Sequence, residues 1–269
     1  MSNNNIKNQG SVLLKVDGLS KTFKGLRAVN DYHLDLYAGE ILGIIGPNGA
    51  GKSTIFNLIT GFIRPSSGQI HFINTDITNH APDKIARLGI GRTFQNIRLF
   101  PSMSLMENVR TAQQLNDPDN YLTTLFSLPS FHRREERLIK KSLELLSLFD
   151  LEDRANLLCT SLPYGDQRKL EVVRALALRP KLLLLDEPVA GMSLQESLEV
   201  LRLIRRIRDE YQLTIVVVEH NMPIVMQLCE RIQVLNYGEV IAEGIPDEIR
   251  NNPRVIEAYL GKVDNNAQA

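Results

Sequence analysis

Ile41-Leu42-Gly43-Ile44-Ile45-Gly46-Pro47-Asn48-Gly49-Ala50-Gly51-Lys52-Ser53-Thr54 decides the fold of this chain. The first five residues are apolar without alternation, the pattern of a strand covered on both faces. They run into a glycine-rich turn and then a helical segment ending near Gly61. The turn satisfies G-x-x-x-x-G-K-[ST] in the strand, loop and helix context that this pattern requires. Glycines let successive backbone N–H groups curl around phosphate oxygens, and the helix N-terminus adds partial positive charge for the same anion. Gly46, Asn48, Gly49, Ala50, Gly51 and Thr54 form the cradle, Lys52 reaches toward the β and γ phosphates of a nucleotide, and the Ser53 hydroxyl is a magnesium ligand.

Two further strands supply chemistry to match. Leu182-Leu183-Leu184-Leu185-Asp186-Glu187 is an apolar strand that delivers two carboxylates at its C-terminal end, where α/β folds bind ligands. Asp186 is placed to orient magnesium, and Glu187 to act as general base on an attacking water. A third strand, Thr214 to Glu219, ends in His220. One histidine after a strand is ordinary, but beside a phosphate loop it reads as part of the site.

Outward from these motifs, Val12 to Glu40 alternates apolar and polar residues in short stretches and predicts antiparallel strands with one covered face. Between about Gln95 and Asp153 the pattern turns helical, with Leu138, Ile139, Leu143, Leu145, Leu146 and Phe149 as an apolar stripe. Ser193 and Glu196 form an S-x-x-E capping box, followed by Leu194, Leu198, Leu201, Ile204 and Ile207 on one helical face. Pro223 suits the first turn of a helix, and Gly238 marks a hairpin. The chain therefore reads as α/β: a P-loop NTPase core with an N-terminal antiparallel β subdomain and an inserted α-helical subdomain.

Composition closes off other classes. Lys plus Arg and Asp plus Glu are equal at 31 each, so no whole-protein field steers the chain onto nucleic acid or anionic lipid. Cys159 and Cys229, 70 positions apart, read as reduced core thiols of a cytoplasmic protein rather than a disulfide framework. No apolar run approaches the ~18 residues of a membrane span.

These residues together resemble the nucleotide-binding subunit of an ATP-binding cassette (ABC) transporter, over about Val12 to Lys262. The resemblance implies a single domain over 11–262. Its core and β subdomain would lie at about 11–94 and 155–250, the helical subdomain at about 95–154 and a C-terminal extension at 251–262, with disordered tails at 1–10 and 263–269. It implies that Phe23 stacks on adenine and that Gln95 touches magnesium and senses the attacking water. Glu187 becomes the catalytic carboxylate, His220 contacts the γ phosphate, and the helical insertion docks on a membrane subunit.

Within that family the chain is most similar to the ATPases of bacterial branched-chain amino acid importers, through Arg92-Thr93-Phe94-Gln95-Asn96-Ile97-Arg98-Leu99-Phe100, Leu185-Asp186-Glu187-Pro188-Val189-Ala190-Gly191-Met192, the stretch around Pro129-Ser130-Phe131-His132, and the ending Asn252-Pro253 to Tyr259-Leu260-Gly261. The resemblance implies ATP and Mg2+ as cofactors. As partners it implies a second, related cassette ATPase, two integral-membrane permease subunits and, indirectly, a periplasmic or extracellular binding protein, with no nucleic acid expected. It places the chain peripherally at the cytoplasmic face of the inner membrane and leaves it soluble when isolated. Urea or amide importers, lipopolysaccharide exporters, soluble cassette ATPases of DNA or ribosomes and small-molecule kinases are the competing readings.

The sequence departs from the family pattern twice. Where LSGGQ is usual it has Leu162-Pro163-Tyr164-Gly165-Asp166 and then Gln167, and Ser193 stands where many cassettes carry aspartate. Pro163 offers neither the hydroxyl nor the N–H of the usual serine. A carboxylate at position 166 opposes a nearby triphosphate unless it points away or caps its own helix.

Overall fold

The structure is a computed structural model that describes residues 10–115 and 129–260. The disorder expected at 1–10 and 263–269 falls outside the described residues, except for Gly10. The chain forms two compact units, residues 1–85 with 208–269 and residues 86–207.

The first unit opens with β1 (Val12–Phe23) and β2 (Leu26–Tyr37), paired antiparallel, and β1 also pairs with β4 (Ser67–Phe72), whose far edge carries β5 (Thr75–Asp76). Alternation puts Leu14, Val16, Leu34 and Leu36 inward. The period slips by one between Val16 and Leu19, where Gly18 adopts φ +59° and the register shifts, so the inward set continues at Leu19 against Tyr32.

Around β3 (Ile41–Ile45) lie β8 (Thr214–Val218) on one side and β9 (Arg231–Asn236) on the other, both parallel to it, and β10 (Glu239–Gly244) is antiparallel to β9. Every residue of β3 and β8 is buried, as the unalternated apolar runs predict. The hairpin read at Gly238 is present: Tyr237 and Gly238 have φ +47° and +83°, the two left-handed residues of a tight turn that matches strand twist. Helix α1 (Lys52–Ile59) follows β3 and ends at Thr60 and Gly61, as expected.

The second unit contains β6 (Ile90–Arg92) parallel to the fully buried β7 (Leu182–Asp186). Its helices include α3 (Leu105–Gln113), α4 (Pro129–Ser147) and α5 (Tyr164–Ala177), while α2 (Pro82–Leu88) and α6 (Leu194–Tyr211) run across the limits of the units. On α4 the buried line is Leu138, Ser142 and Leu146, extended by Phe149, whereas Leu143 is exposed. Five residues turn a helix by about 500°, which carries Leu143 away from Leu138. Ser142 fits the line because its hydroxyl donates to the Leu138 carbonyl at 2.9 Å. The capping box at the start of α6 is formed, with Glu196 N–H on Ser193 Oγ at 3.3 Å and Ser193 N–H on Glu196 Oε2 at 2.8 Å. Leu194 is exposed, and the covered face begins at Ser197 and Val200 instead. The remaining helices are α7 (Met222–Leu228), with Pro223 in its first turn, α8 (Pro246–Arg250) and α9 (Pro253–Leu260). Both cysteines are buried and lie outside any disulfide.

Candidate functional site

In the first unit the phosphate loop is shaped by close backbone approaches. Gly46 has φ +152°, and a Cβ there would lie 2.1 Å from the Leu235 carbonyl oxygen. Gly51 has φ +106°, and its Cβ would lie 2.6 Å from the Ala28 oxygen. Only glycine fits either place. The hairpin turn holds the loop from outside, because Gly238 N–H donates to Ala50 O at 2.9 Å and Asn30 N–H to Gly238 O at 2.9 Å.

Lys52 is buried, its ammonium donating to the Gly46 and Pro47 carbonyls at 2.7 and 2.9 Å. Gly51 caps α1 without a side-chain acceptor, and no acidic residue stands in the first turn. The partial positive charge at this helix end is therefore uncompensated by a carboxylate of its own, which favours an anionic ligand. Ser53 is exposed at the same helix end. Phe23 closes β1, 43% exposed, with Lys21 Nζ 5.1 Å from its ring centre. His220 follows β8 on an exposed turn, its N–H donating to Glu219 Oε2 at 3.2 Å.

In the second unit Asp186 ends β7 with its side chain almost wholly buried. Oδ2 accepts from Arg92 Nη2 at 3.1 Å, while Oδ1 is buried without a hydrogen-bond partner among the described residues. Burial pushes the Asp186 carboxyl up, and the Arg92 guanidinium works against that rise. Asp186 N–H is fixed by Thr93 Oγ1 at 3.1 Å, and Thr93 N–H by the Leu184 carbonyl at 2.9 Å. Glu187 has φ +49°, a left-handed conformation that a residue with a Cβ adopts at a cost of ~1 to 2 kcal/mol. Gln95 is exposed, and its carbonyl is held by Arg168.

The segment Leu162 to Gln167 opens α5. Pro163 is the N-cap residue and provides no side-chain cap; Tyr164 is half exposed, and Gln167 Nε2 donates to the Leu162 carbonyl at 2.9 Å. Gly165 lies in the first turn. Asp166 is bound by Arg154 Nη1 at 2.7 Å and Lys169 Nζ at 3.2 Å. Burial alone would raise this carboxyl, but hydrogen bonds from the two cations outweigh it and the net movement is downward. The charge expected to oppose an anion is thus already compensated locally.

Sequence reasoning gave no role to Arg92, Arg168, Glu171 or Arg174. The available signal was a charged residue every third position, at 168, 171 and 174, continuing into the apolar stretch from Leu170 to Ala177.

The ABC transporter family matches residues 29–190, and the branched-chain amino acid ATP-binding cassette transporter family matches residues 239–265. The chain is 42% identical over 250 residues to the high-affinity branched-chain amino acid transport ATP-binding protein LivG of Escherichia coli, covering 93% of this chain and 98% of LivG. It has the same identity and coverage with BraF of Pseudomonas aeruginosa. Among solved structures, the ADP conformation of MJ1267, an ATP-binding cassette of an ABC transporter, superposes with a TM-score of 0.80 at 29% identity, covering 93% of this chain and 99% of that one. The dimeric post-hydrolysis state of the cassette MJ0796, bound to ADP and Pi, gives 0.75 at 28%, covering 87% and 99%.

Proposed function

Because the chain belongs to the ABC transporter family of ATP-binding cassettes, we propose that it is the ATP-hydrolysing subunit of an importer for branched-chain amino acids. Its fold class is the one read from the sequence, a P-loop NTPase core with an antiparallel β subdomain and a helical subdomain. The observation that carries the amino acid assignment is the match of residues 239–265, β10 to the C-terminal helix, to the branched-chain cassette family.

In this reading Phe23 stacks on adenine with its exposed ring. Lys52 exchanges the Gly46 and Pro47 carbonyls for β and γ phosphate oxygens, and the N–H groups from Asn48 to Thr54 receive the remaining phosphate oxygens. Glu187 takes the proton of the attacking water, Gln95 orients that water and His220 contacts the γ phosphate. The orphaned Asp186 Oδ1 suits a hard divalent cation, and Ser53, Gln95 and Asp186 are the residues that would hold Mg2+. Magnesium, when bound, neutralises charge on the β and γ oxygens.

Residues Leu162 to Gln167 face the ATP of a second cassette, and residues 95–154 dock on the membrane subunits. No helix among the described residues is long and apolar enough to cross a membrane. In this reading attachment to the cytoplasmic face runs through two permease subunits. With the Asp166 charge compensated by Arg154 and Lys169, Pro163 and Tyr164 are what distinguish the ATP site this segment completes from the usual one. Pro163→Ser should therefore speed hydrolysis at the partner's loop, about tenfold if the serine contact forms in the transition state. The decisive measurement is ATP turnover of the complete complex in liposomes with its binding protein. Leucine, isoleucine or valine should stimulate it, and stimulation by urea or short amides instead would overturn the substrate assignment.

A further inference from the structure

In the second unit, the backbone that carries Gln95 is strapped to one face of α5. Arg168 Nη1 donates to the Phe94 carbonyl at 2.7 Å and Nη2 to the Gln95 carbonyl. The same guanidinium donates to the Tyr164 hydroxyl, from Nε at 3.1 Å and Nη2 at 2.7 Å. One turn on, Glu171 accepts the Arg98 N–H at 2.9 Å and lies 3.5 Å from Arg168. A further turn on, Arg174 donates to the Arg98 carbonyl. Arg168 and Glu171 are 4% and 2% exposed. Burial pushes the Glu171 carboxyl up, against the pull of the Arg98 N–H and the Arg168 charge. The Tyr164 ring in turn lies against Gly191, where an added Cβ would meet it at 3.1 Å.

We propose that Arg168 is a positioning residue for hydrolysis: its planar fork fixes the Gln95 backbone to the first turn of α5, so that the Gln95 amide and Tyr164 are presented in one set relation. The inference rests on the reading of Gln95 as the group that orients the attacking water. A guanidinium holds two carbonyls and a hydroxyl at once because its five N–H groups lie in one rigid plane. A lysine keeps the charge beside Glu171 but has a compact head on a flexible stem and cannot reproduce that fork. The Gln95 side chain is exposed while its carbonyl is tied, the arrangement of a group held by its backbone and left free at its tip.

The test is a double-mutant cycle of Arg168→Lys and Gln95→Ala in the full chain assembled with its permease, following phosphate release over an ATP titration. If the second cassette is a different protein, its own hydrolysis is silenced. Arg168→Lys should lower kcat about tenfold with KM within about twofold, a cost of the kind that misplacing a reacting group brings. In the Gln95→Ala background the same substitution should change kcat by less than about twofold, because a residue acting through Gln95 has nothing left to act on. Equal losses in both backgrounds, an unchanged kcat, or a loss confined to KM would overturn the inference while leaving Gln95 in place. An unchanged kcat in Gln95→Ala itself would remove the reading of Gln95, and this inference with it. If Arg168→Lys does not fold, the cycle is run with Arg168→Gln and Glu171→Gln together, which removes both members of the buried pair and is read by the same outcomes.

Discussion

The phosphate loop and the Gln95 region are built in opposite ways. In the loop, backbone does the shaping: glycines at 46 and 51 sit where any Cβ would strike a carbonyl, and Lys52 is held by two main-chain oxygens. Around Gln95 buried side-chain charges do the shaping, with Arg92 on Asp186 and with Arg168, Glu171 and Arg174 on the backbone of 94–98. The first region is sensitive to what is added to it, and the second to what is taken away.

Substitutions can break or sharpen that contrast. Glu187→Gln, which keeps size and hydrogen bonding but removes the base, should cut turnover by about 10²- to 10⁴-fold with nucleotide affinity retained. Single-turnover hydrolysis beside equilibrium ATP binding would read both, and near-normal turnover would remove Glu187 from its role. Glu171→Ala strips a partner from a buried guanidinium and should destabilise the fold by about 3 to 5 kcal/mol in denaturant unfolding. Gly46→Ala should cost about 3 kcal/mol through added bulk alone, and a melting temperature equal to that of the parent would end the claim that the loop is backbone-limited. Lys52→Ala should weaken ATP binding by about 1.5 to 3 kcal/mol, measured by calorimetry.

The smallest effect belongs to Asp166, whose carboxyl is held below its ordinary range by Arg154 and Lys169. A lowered folded-state pKa stabilises the fold above the unfolded value and loses that contribution as pH falls through the folded one. The parent should exceed Asp166→Asn by under about 1 kcal/mol near neutrality, since the group is partly solvated. That margin should vanish in acid below about pH 3.9. A margin that grows in acid would contradict the pairing.

The same contrast decides what was legible in the sequence. The loop is contiguous, and glycine spacing is a direct record of backbone conformation, so residues 46–54 disclosed both the fold and the backbone geometry of the loop. The unalternated strands β3, β7 and β8 were equally plain, because burial on two faces leaves no polar position. The pairs Arg92 with Asp186 and Arg168 with Phe94 and Gln95 span 94, 74 and 73 positions, and no local period encodes such a partner. Leu143 and Leu194 misled because an apolar residue near a stripe need not lie within it. Asp166 read as a hazard to a bound anion until Arg154, twelve residues away, proved to hold it.

With Glu187 in its proposed role as base, its left-handed backbone sets heat resistance against activity at a single residue. Glycine or asparagine would adopt φ +49° at less cost, so a selection for thermal tolerance alone should discard the glutamate early and return a sturdier, idle motor.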